Sequence, residues 1–304
     1  ECCPEELERV EELARSRKAS ALAAVGGGKT IDCCKIVADK LRIPVVVVPT
    51  IASTDAPCSG CAVVYTKDGV FDHVYYQRHN PDVVLMDTNI IGGAPVRFLI
   101  SGMGDGLATF FEANSCQRSG SANECGGSRT LTALAIARLC MDTIIGSGRK
   151  AAEDVKKGLV TPEVEAVIEA NTLLSGIGFE SCGIAGAHAV HNGLTALAGT
   201  HGLFHGEKVA FGIVTTLQLY DELDMMDVVY DFLIDVGLPV CFEDLGIGGV
   251  SAEELKAVAE RCLLEGSSIF HEPVPVSPDI LVEAMIRADA LGREKKQKRI
   301  SLLK

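Results

Sequence analysis

Positive charge is what this sequence has little of. Lys+Arg total 28 against Asp+Glu 41, for a net charge of −13 over 304 residues. Such a chain is a poor candidate for binding nucleic acid or an anionic membrane surface. Long apolar runs are missing too. A membrane-spanning helix needs about 18 or more such residues, and the clearest run here, Val45–Val48, is cut by Pro44 and Pro49. The opening Glu1–Glu12 is acidic, unlike a signal peptide. A cytoplasmic protein is expected. It has no HExxH for a metalloprotease and no GxSxG for a serine hydrolase. Cys58-Ser-Gly-Cys61 stands without the second CxxC that a zinc ribbon needs. The twelve cysteines include the adjacent pairs Cys2–Cys3 and Cys33–Cys34 in a long chain, and they read as reduced thiols.

What is present is ordinary for a globular protein. Hydrophobic residues are 47% and charged residues 23%, which excludes disorder, collagen and coiled coil. The length suits about two domains. Apolar spacing predicts a helix over 5–18, a buried strand at 21–25 ending in Gly26-Gly27-Gly28, a helix over 29–41 and a strand at 45–48. The last is β-branched throughout, as in strands covered on both faces. A hairpin is expected over 62–66 and 71–76 around Lys67-Asp68-Gly69, and a further strand at 83–86. Beyond residue 96 the strands give way to helical patterns at 103–117, 129–145, 162–176, 183–197, 206–221, 224–236, 251–264 and 278–293. We expect two domains, an α/β unit over 1–96 and an all-α unit over 97–304.

Five stretches could carry chemistry. Gly26-Gly27-Gly28-Lys29-Thr30-Ile31-Asp32 puts glycines between a strand and a helix, where backbone N–H groups can meet a phosphate. It misses Walker A at Ala23 and the GxGxxG fingerprint at Ile31, and it also fits a plain tight turn. Pro49–Pro57 follows the next strand at the same carboxyl edge, where open parallel sheets bind ligands, although it also fits a Ser/Thr/Pro turn. Gly104-Asp105-Gly106 reads as the opening of a helix, and taken alone Asp105 fits a cap or dipole partner there better than a ligand. His188, His191, Asn192 and Thr195 form one polar stripe on an otherwise apolar helix, which needs buried partners or a ligand. The fifth is His201-Gly-Leu-Phe-His205-Gly206-Glu207-Lys208. Two imidazoles and a carboxylate make a catalytic zinc set when one position stays open. Spacing alone does not bring Asp105 to the histidines, and His201 competes with His205.

Together these residues resemble the glycerol dehydrogenases, the zinc-dependent branch of the iron-containing alcohol dehydrogenase superfamily. The matching stretches are 26–32, 49–57, 102–112, 179–193 and 205–210, and the general likeness runs from about residue 4 to 290. The resemblance implies a dehydroquinate-synthase-like fold, in which an α/β Rossmann-like N-terminal domain and an all-α helical domain hold NAD and a metal between them. It assigns Asp105, His188 and His205 to Zn2+. It assigns Gly26, Gly27, Gly28, Lys29, Thr30, Ile31, Asp32, Thr50, Ile51, Ala52, Ser53, Ser59, Cys61 and Tyr65 to the NAD site. Asp55 corresponds to the carboxylate near the substrate, and His191 to a neighbour in the catalytic cleft. Iron-type members carry a histidine four residues after the ligand aspartate, and here that position is Thr109. Members also carry a further N-terminal segment, so the α/β domain is expected to lack its first strands. The implied reaction is zinc-assisted, NAD-dependent oxidation of glycerol and similar polyols to dihydroxyacetone, by a homo-oligomer. The alternatives are a glycerol-phosphate dehydrogenase, a dehydroquinate-synthase-like enzyme, or an inactive truncated member.

Overall fold

The first helix, α1 (Pro4–Ser16), has proline in its first turn, where a missing N–H is no loss, and Glu5 and Glu6 at the positive end of its dipole. It is followed by β1 (Leu22–Gly26), α2 (Gly28–Leu41) and β2 (Val45–Pro49). Next come β3 (Cys61–Tyr65), β4 (Phe71–Tyr76) and β5 (Val83–Val84). The computed structural model describes residues 1–220 and 223–302. β1, β2 and β5 form a parallel sheet in the order β1-β2-β5, with Leu22 opposite Val45 and Val46 opposite Val83. β3 and β4 form a separate antiparallel hairpin with an irregularity at Val64/Tyr65.

Two details of the sheet differ from expectation. Val45 and Val47 are buried with Ala24 and Ile31 in the layer beneath α2, but Val46 and Val48 are only half-buried and Val25 is 59% exposed. Among the described residues α2 covers one face and little covers the other, so β2 alternates where full burial was expected. The strand expected at 83–86 shrinks to two residues. Asp87 then caps α3 (Thr88–Gly92) through the N–H groups of Asn89 and Ile90.

The helical part follows. α4 (Val96–Ser119), α5 (Leu131–Lys156) and α6 (Pro162–Glu169) lead into a π-helical turn at Ala170–Leu174 and then α7 (Ser175–Cys182). Gly183, at a φ of 100°, breaks the chain before α8 (Gly186–Leu194), which shortens the helix expected from 183. α9 (His205–Leu217), α10 (Leu223–Val236), α11 (Ala252–Cys262) and α12 (Pro278–Leu302) complete it. Asp221, the last residue of the expected 206–221 helix, lies outside the described residues. One continuous core joins these helices through Met103, Leu107, Ile144, Val190, Leu194, Phe211, Tyr230 and Phe232. α5 is long and apolar enough to cross a bilayer on length and composition. Here its Ala137, Cys140 and Ile144 are buried, and the Cys140 thiol donates to the Gly106 and Ala170 carbonyls. All twelve cysteines are free thiols.

A buried lysine missed in the sequence fixes the loop after β2. Lys35 on α2 is 1% exposed, and its ammonium donates to the Ala56 carbonyl at 2.8 Å, the Cys61 carbonyl at 2.5 Å and the Ser59 hydroxyl at 3.3 Å. Three acceptors meet its three donors, which is the condition for keeping a cation in the interior.

Candidate active site

Asp105 stands in the middle of α4 rather than at a helix start. Gly102, Gly104 and Gly106 look like a turn in the sequence but lie inside the helix, where they allow close packing. A Cβ on Gly104 would come within 2.3 Å of the Gly206 carbonyl oxygen, and a Cβ on Gly206 within 1.8 Å of that of Ser101. These two glycines therefore let α4 and α9 touch backbone to backbone. Asp105 thereby meets His205, the first residue of α9.

The Asp105 carboxyl is fully buried. Its Oδ1 lies 3.0 Å from His205 Nε2 and 3.4 Å from His188 Nε2, and the three ligand atoms fall within 4.8 Å of one another. No other cluster of His, Cys, Asp or Glu among the described residues is this close. Asp105 Oδ2 accepts the Asp55 N–H at 3.2 Å, whereas Oδ1 is buried without a hydrogen-bond partner. An orphaned buried oxygen facing two imidazole nitrogens fits a divalent cation, and one carboxylate with two imidazoles suits zinc. Burial opposes ionisation of Asp105, but the two imidazoles outweigh it and hold the carboxyl well below the usual range.

Each imidazole is oriented from behind. His188 Nδ1 lies 2.6 Å from Glu112 Oε2, and Glu112 Oε1 accepts the His188 backbone N–H at 2.9 Å. Nδ1 thus carries the proton and Nε2 is turned toward Asp105, the carboxylate–histidine arrangement found behind metal ligands. Burial would lower the pKa of His188, yet Glu112 and Asp105 raise it well above its ordinary value. Glu272 accepts the Gly186 N–H at 2.8 Å, so a second buried carboxylate serves the first turn of α8. His205 Nδ1 is 3.1 Å from His191 Nε2, and His191 Nδ1 is 2.9 Å from Asn192 Oδ1. With protons on both Nδ1 atoms the line runs consistently from Asn192 to His205. Burial first, and then the neighbouring His205 and Lys208, push His191 well below its usual pKa. His201 instead meets the Thr195 carbonyl at 3.0 Å, apart from the triad. At the start of α9, Arg97 forms a two-point ion pair with Glu207, at 2.6 and 2.8 Å, and Glu207 accepts the Phe204 N–H at 2.7 Å.

A cleft of about 760 Å³ opens beside the triad. Gly27, Gly28, Lys29, Thr30, Asp32, Ile51, Ser53, Asp55, Ser59, Cys61, Tyr65, His188, His191 and His205 line it. Gly26, Thr50, Ile31 and Ala52 do not; Ile31 and Ala52 pack into the cores on either side. The two loops meet where the Thr50 N–H donates to the Gly26 carbonyl at 3.0 Å. Lys29 pairs with Glu1. Burial pushes Asp32 up to about 6 and the Cys61 thiol up to about 12, and raises the Tyr65 hydroxyl further still. Asp55 is pushed up to about 8, by burial first and by the Asp105 charge second.

Three further residues act here without having stood out in the sequence. The Ser175 hydroxyl donates to Asp55 Oδ2 at 2.8 Å, so the Thr109 hydroxyl, 2.8 Å from Ser175, is committed to that chain and not to the triad. Asn171 donates to the carbonyls of Ala52 and Leu99, both at 3.0 Å, tying the 50–55 loop to α4. Asn171 lies in the π-helical turn and Ser175 directly follows it, a distortion that often marks functional sites. Glu112 is the third.

The chain is similar to known proteins. The family description "Iron-containing alcohol dehydrogenase" matches residues 1–88. The chain is 48% identical to a glycerol dehydrogenase of Thermotoga maritima, over 97% of this chain and 81% of that protein. It is 43% identical to a glycolaldehyde reductase of Halobacterium salinarum, over 96% of this chain and 80% of that protein. The crystal structure of a probable glycerol dehydrogenase from Sinorhizobium meliloti superimposes with a TM-score of 0.95 at 44% identity, covering 97% of this chain and 83% of that one. On the strength of these near-full-length likenesses, the chain belongs to the glycerol dehydrogenases of the iron-containing alcohol dehydrogenase family, which are oxidoreductases with a dehydroquinate-synthase-like fold.

Proposed function

We propose that the protein oxidises glycerol and related vicinal diols, glycerol giving dihydroxyacetone, with NAD and with zinc held by Asp105, His188 and His205. The convergence of these three side chains, with His188 and His205 lining the same cleft as the glycine turn, carries this proposal. When bound, zinc supplies Lewis-acid polarisation of a substrate hydroxyl and NAD accepts the hydride. The chain's own part is positioning and proton handling. Glu112 and His191 set the two imidazoles. Asp55, pushed up to about 8 by burial and the Asp105 charge and held by Ser175, is the group placed to exchange a hydrogen bond or proton with a substrate hydroxyl. Phe179, Phe204 and Phe71 add apolar surface to the cleft. On family likeness the enzyme is taken to be a cytoplasmic homo-oligomer.

Because Thr109 is committed to Ser175, α4 offers no fourth ligand one turn beyond Asp105. Three protein ligands leave room for two neighbouring hydroxyls. We expect kcat/KM for glycerol and propane-1,2-diol to exceed that for propan-1-ol by about 100-fold or more, since sites built around a hydroxyl reject analogues lacking it. After chelation, zinc should restore NADH formation better than ferrous iron. Propan-1-ol used as well as glycerol, or restoration by iron alone, would overturn the assignment. The Halobacterium salinarum relative makes glycolaldehyde reduction the second reading, and NADH consumption with glycolaldehyde in the same assay measures it.

The glycine turn gives a separate expectation. A Cβ at Gly27 would meet only the tip of Ile51, at 2.7 Å, on the cleft side of the turn. Gly27→Val should leave the melting temperature nearly unchanged and weaken NADH by about tenfold or more, by holding the phosphate off the backbone N–H groups. Fluorescence titration with NADH checks it; an unchanged affinity would move the cofactor elsewhere.

A further inference from the structure

Lys208 is a cation without a partner. It lies on α9, three residues and about one turn beyond His205, and is 7% exposed. Among the described residues its ammonium makes no hydrogen bond or ion pair, although the other buried lysine, Lys35, has three. The nearby carboxylates are engaged elsewhere, Glu207 with Arg97 and the Phe204 N–H, and Glu1 with Lys29. Lys208 lines the same cleft as the glycine turn and the triad. Lys29, at the start of α2, and His191, beside the triad, line that cleft with it. Burial pushes it down to about 8. A cation with no protein partner, more than nine-tenths buried in the wall of a cleft, is stabilised when an anion enters and joins it.

Only one component of the proposed reaction is anionic. Glycerol and its ketone are neutral, and Asp105 already faces the cation site. The dinucleotide carries a diphosphate and must run from the glycine turn to the triad. We infer that Lys208 is a further cofactor-anchoring residue, whose ammonium takes an oxygen of the dinucleotide diphosphate on that path. The inference rests on the proposal that NAD occupies this cleft.

The test uses the zinc-loaded protein and its Lys208→Met and Lys208→Arg variants, titrated with NADH and with ADP-ribose, which keeps the diphosphate but lacks nicotinamide. Lys208→Met should weaken both ligands by the same factor, about tenfold to a hundredfold, the worth of a hydrogen bond to a charged group. Lys208→Arg should restore most of the affinity. Zinc content and the KM for glycerol should not change. The ligand-free melting temperature of Lys208→Met should hold or rise, because no ion pair or hydrogen bond of the ammonium is lost; a lysine with a structural role would lower it. Unchanged affinity for both ligands would overturn the inference. So would a Lys208→Met protein that melts early or fails to fold. So would loss of glycerol-phosphate binding with dinucleotide binding intact, since Lys208 would then anchor a substrate phosphate. A wild-type protein that binds neither NADH nor ADP-ribose would instead refute occupancy of the cleft by NAD.

Discussion

Asp105→Asn should leave a folded protein that holds no zinc and has lost about 1,000-fold or more of kcat/KM, the several kcal/mol that Lewis-acid polarisation supplies at 1.36 kcal/mol per tenfold. The substitution keeps the shape of a fully buried side chain. Its amide oxygen can still accept the Asp55 N–H that Oδ2 accepts now. What it removes is the negative charge between His188 and His205. Zinc should therefore raise the melting temperature of the wild type and not that of the variant, because a ligand stabilises only the state that binds it. Metal analysis, calorimetry with and without zinc, and glycerol-dependent NADH absorbance read the three consequences. A variant that retained one zinc per chain would remove Asp105 from the ligand set.

Gly206→Ala should be comparably damaging although it touches no ligand. Its Cβ would lie 1.8 Å from the Ser101 carbonyl oxygen and 2.9 Å from the Asp105 backbone nitrogen. These are backbone atoms of α4, so no side chain can swing aside. α4 and α9 must separate, at a cost of about 3 kcal/mol, the upper part of the usual range for overpacking. Their separation pulls Asp105 from His205. Chemical denaturation should show the stability loss and metal analysis the weakened zinc binding. Unchanged values in both would mean that α4 and α9 do not touch backbone to backbone at Gly206.

The same glycines explain why the sequence misplaces Asp105. Gly102, Gly104 and Gly106 carry the poor helix propensity of a turn, and only the helix that packs on them shows why they are needed. The α/β part is easier to read, because its signals are local: the β-branched run at 45–48, the glycine turn after β1, and Lys67-Asp68-Gly69 between two short apolar-rich strands. His188 and His205 stand out because histidine is rare here and clustered. The supporting residues do not. Glu112 meets His188 from 76 positions away, Asn171 reaches Ala52 across 119 and Ser175 reaches Asp55 across 120. Lys35 reads as one more charge on an amphipathic helix until the Ala56 and Cys61 carbonyls close over it. Polar groups that work by finding distant partners leave no period or spacing to detect.

Anomalous diffraction at the zinc edge, from crystals of the active, zinc-replete protein, tests the central claim most directly. A single strong peak is expected about 2.0–2.2 Å from Asp105 Oδ1, His188 Nε2 and His205 Nε2, with no fourth protein ligand. A peak bound instead by His201 or by Cys58 and Cys61, or no peak among the three residues in an enzyme that turns over glycerol, would contradict it.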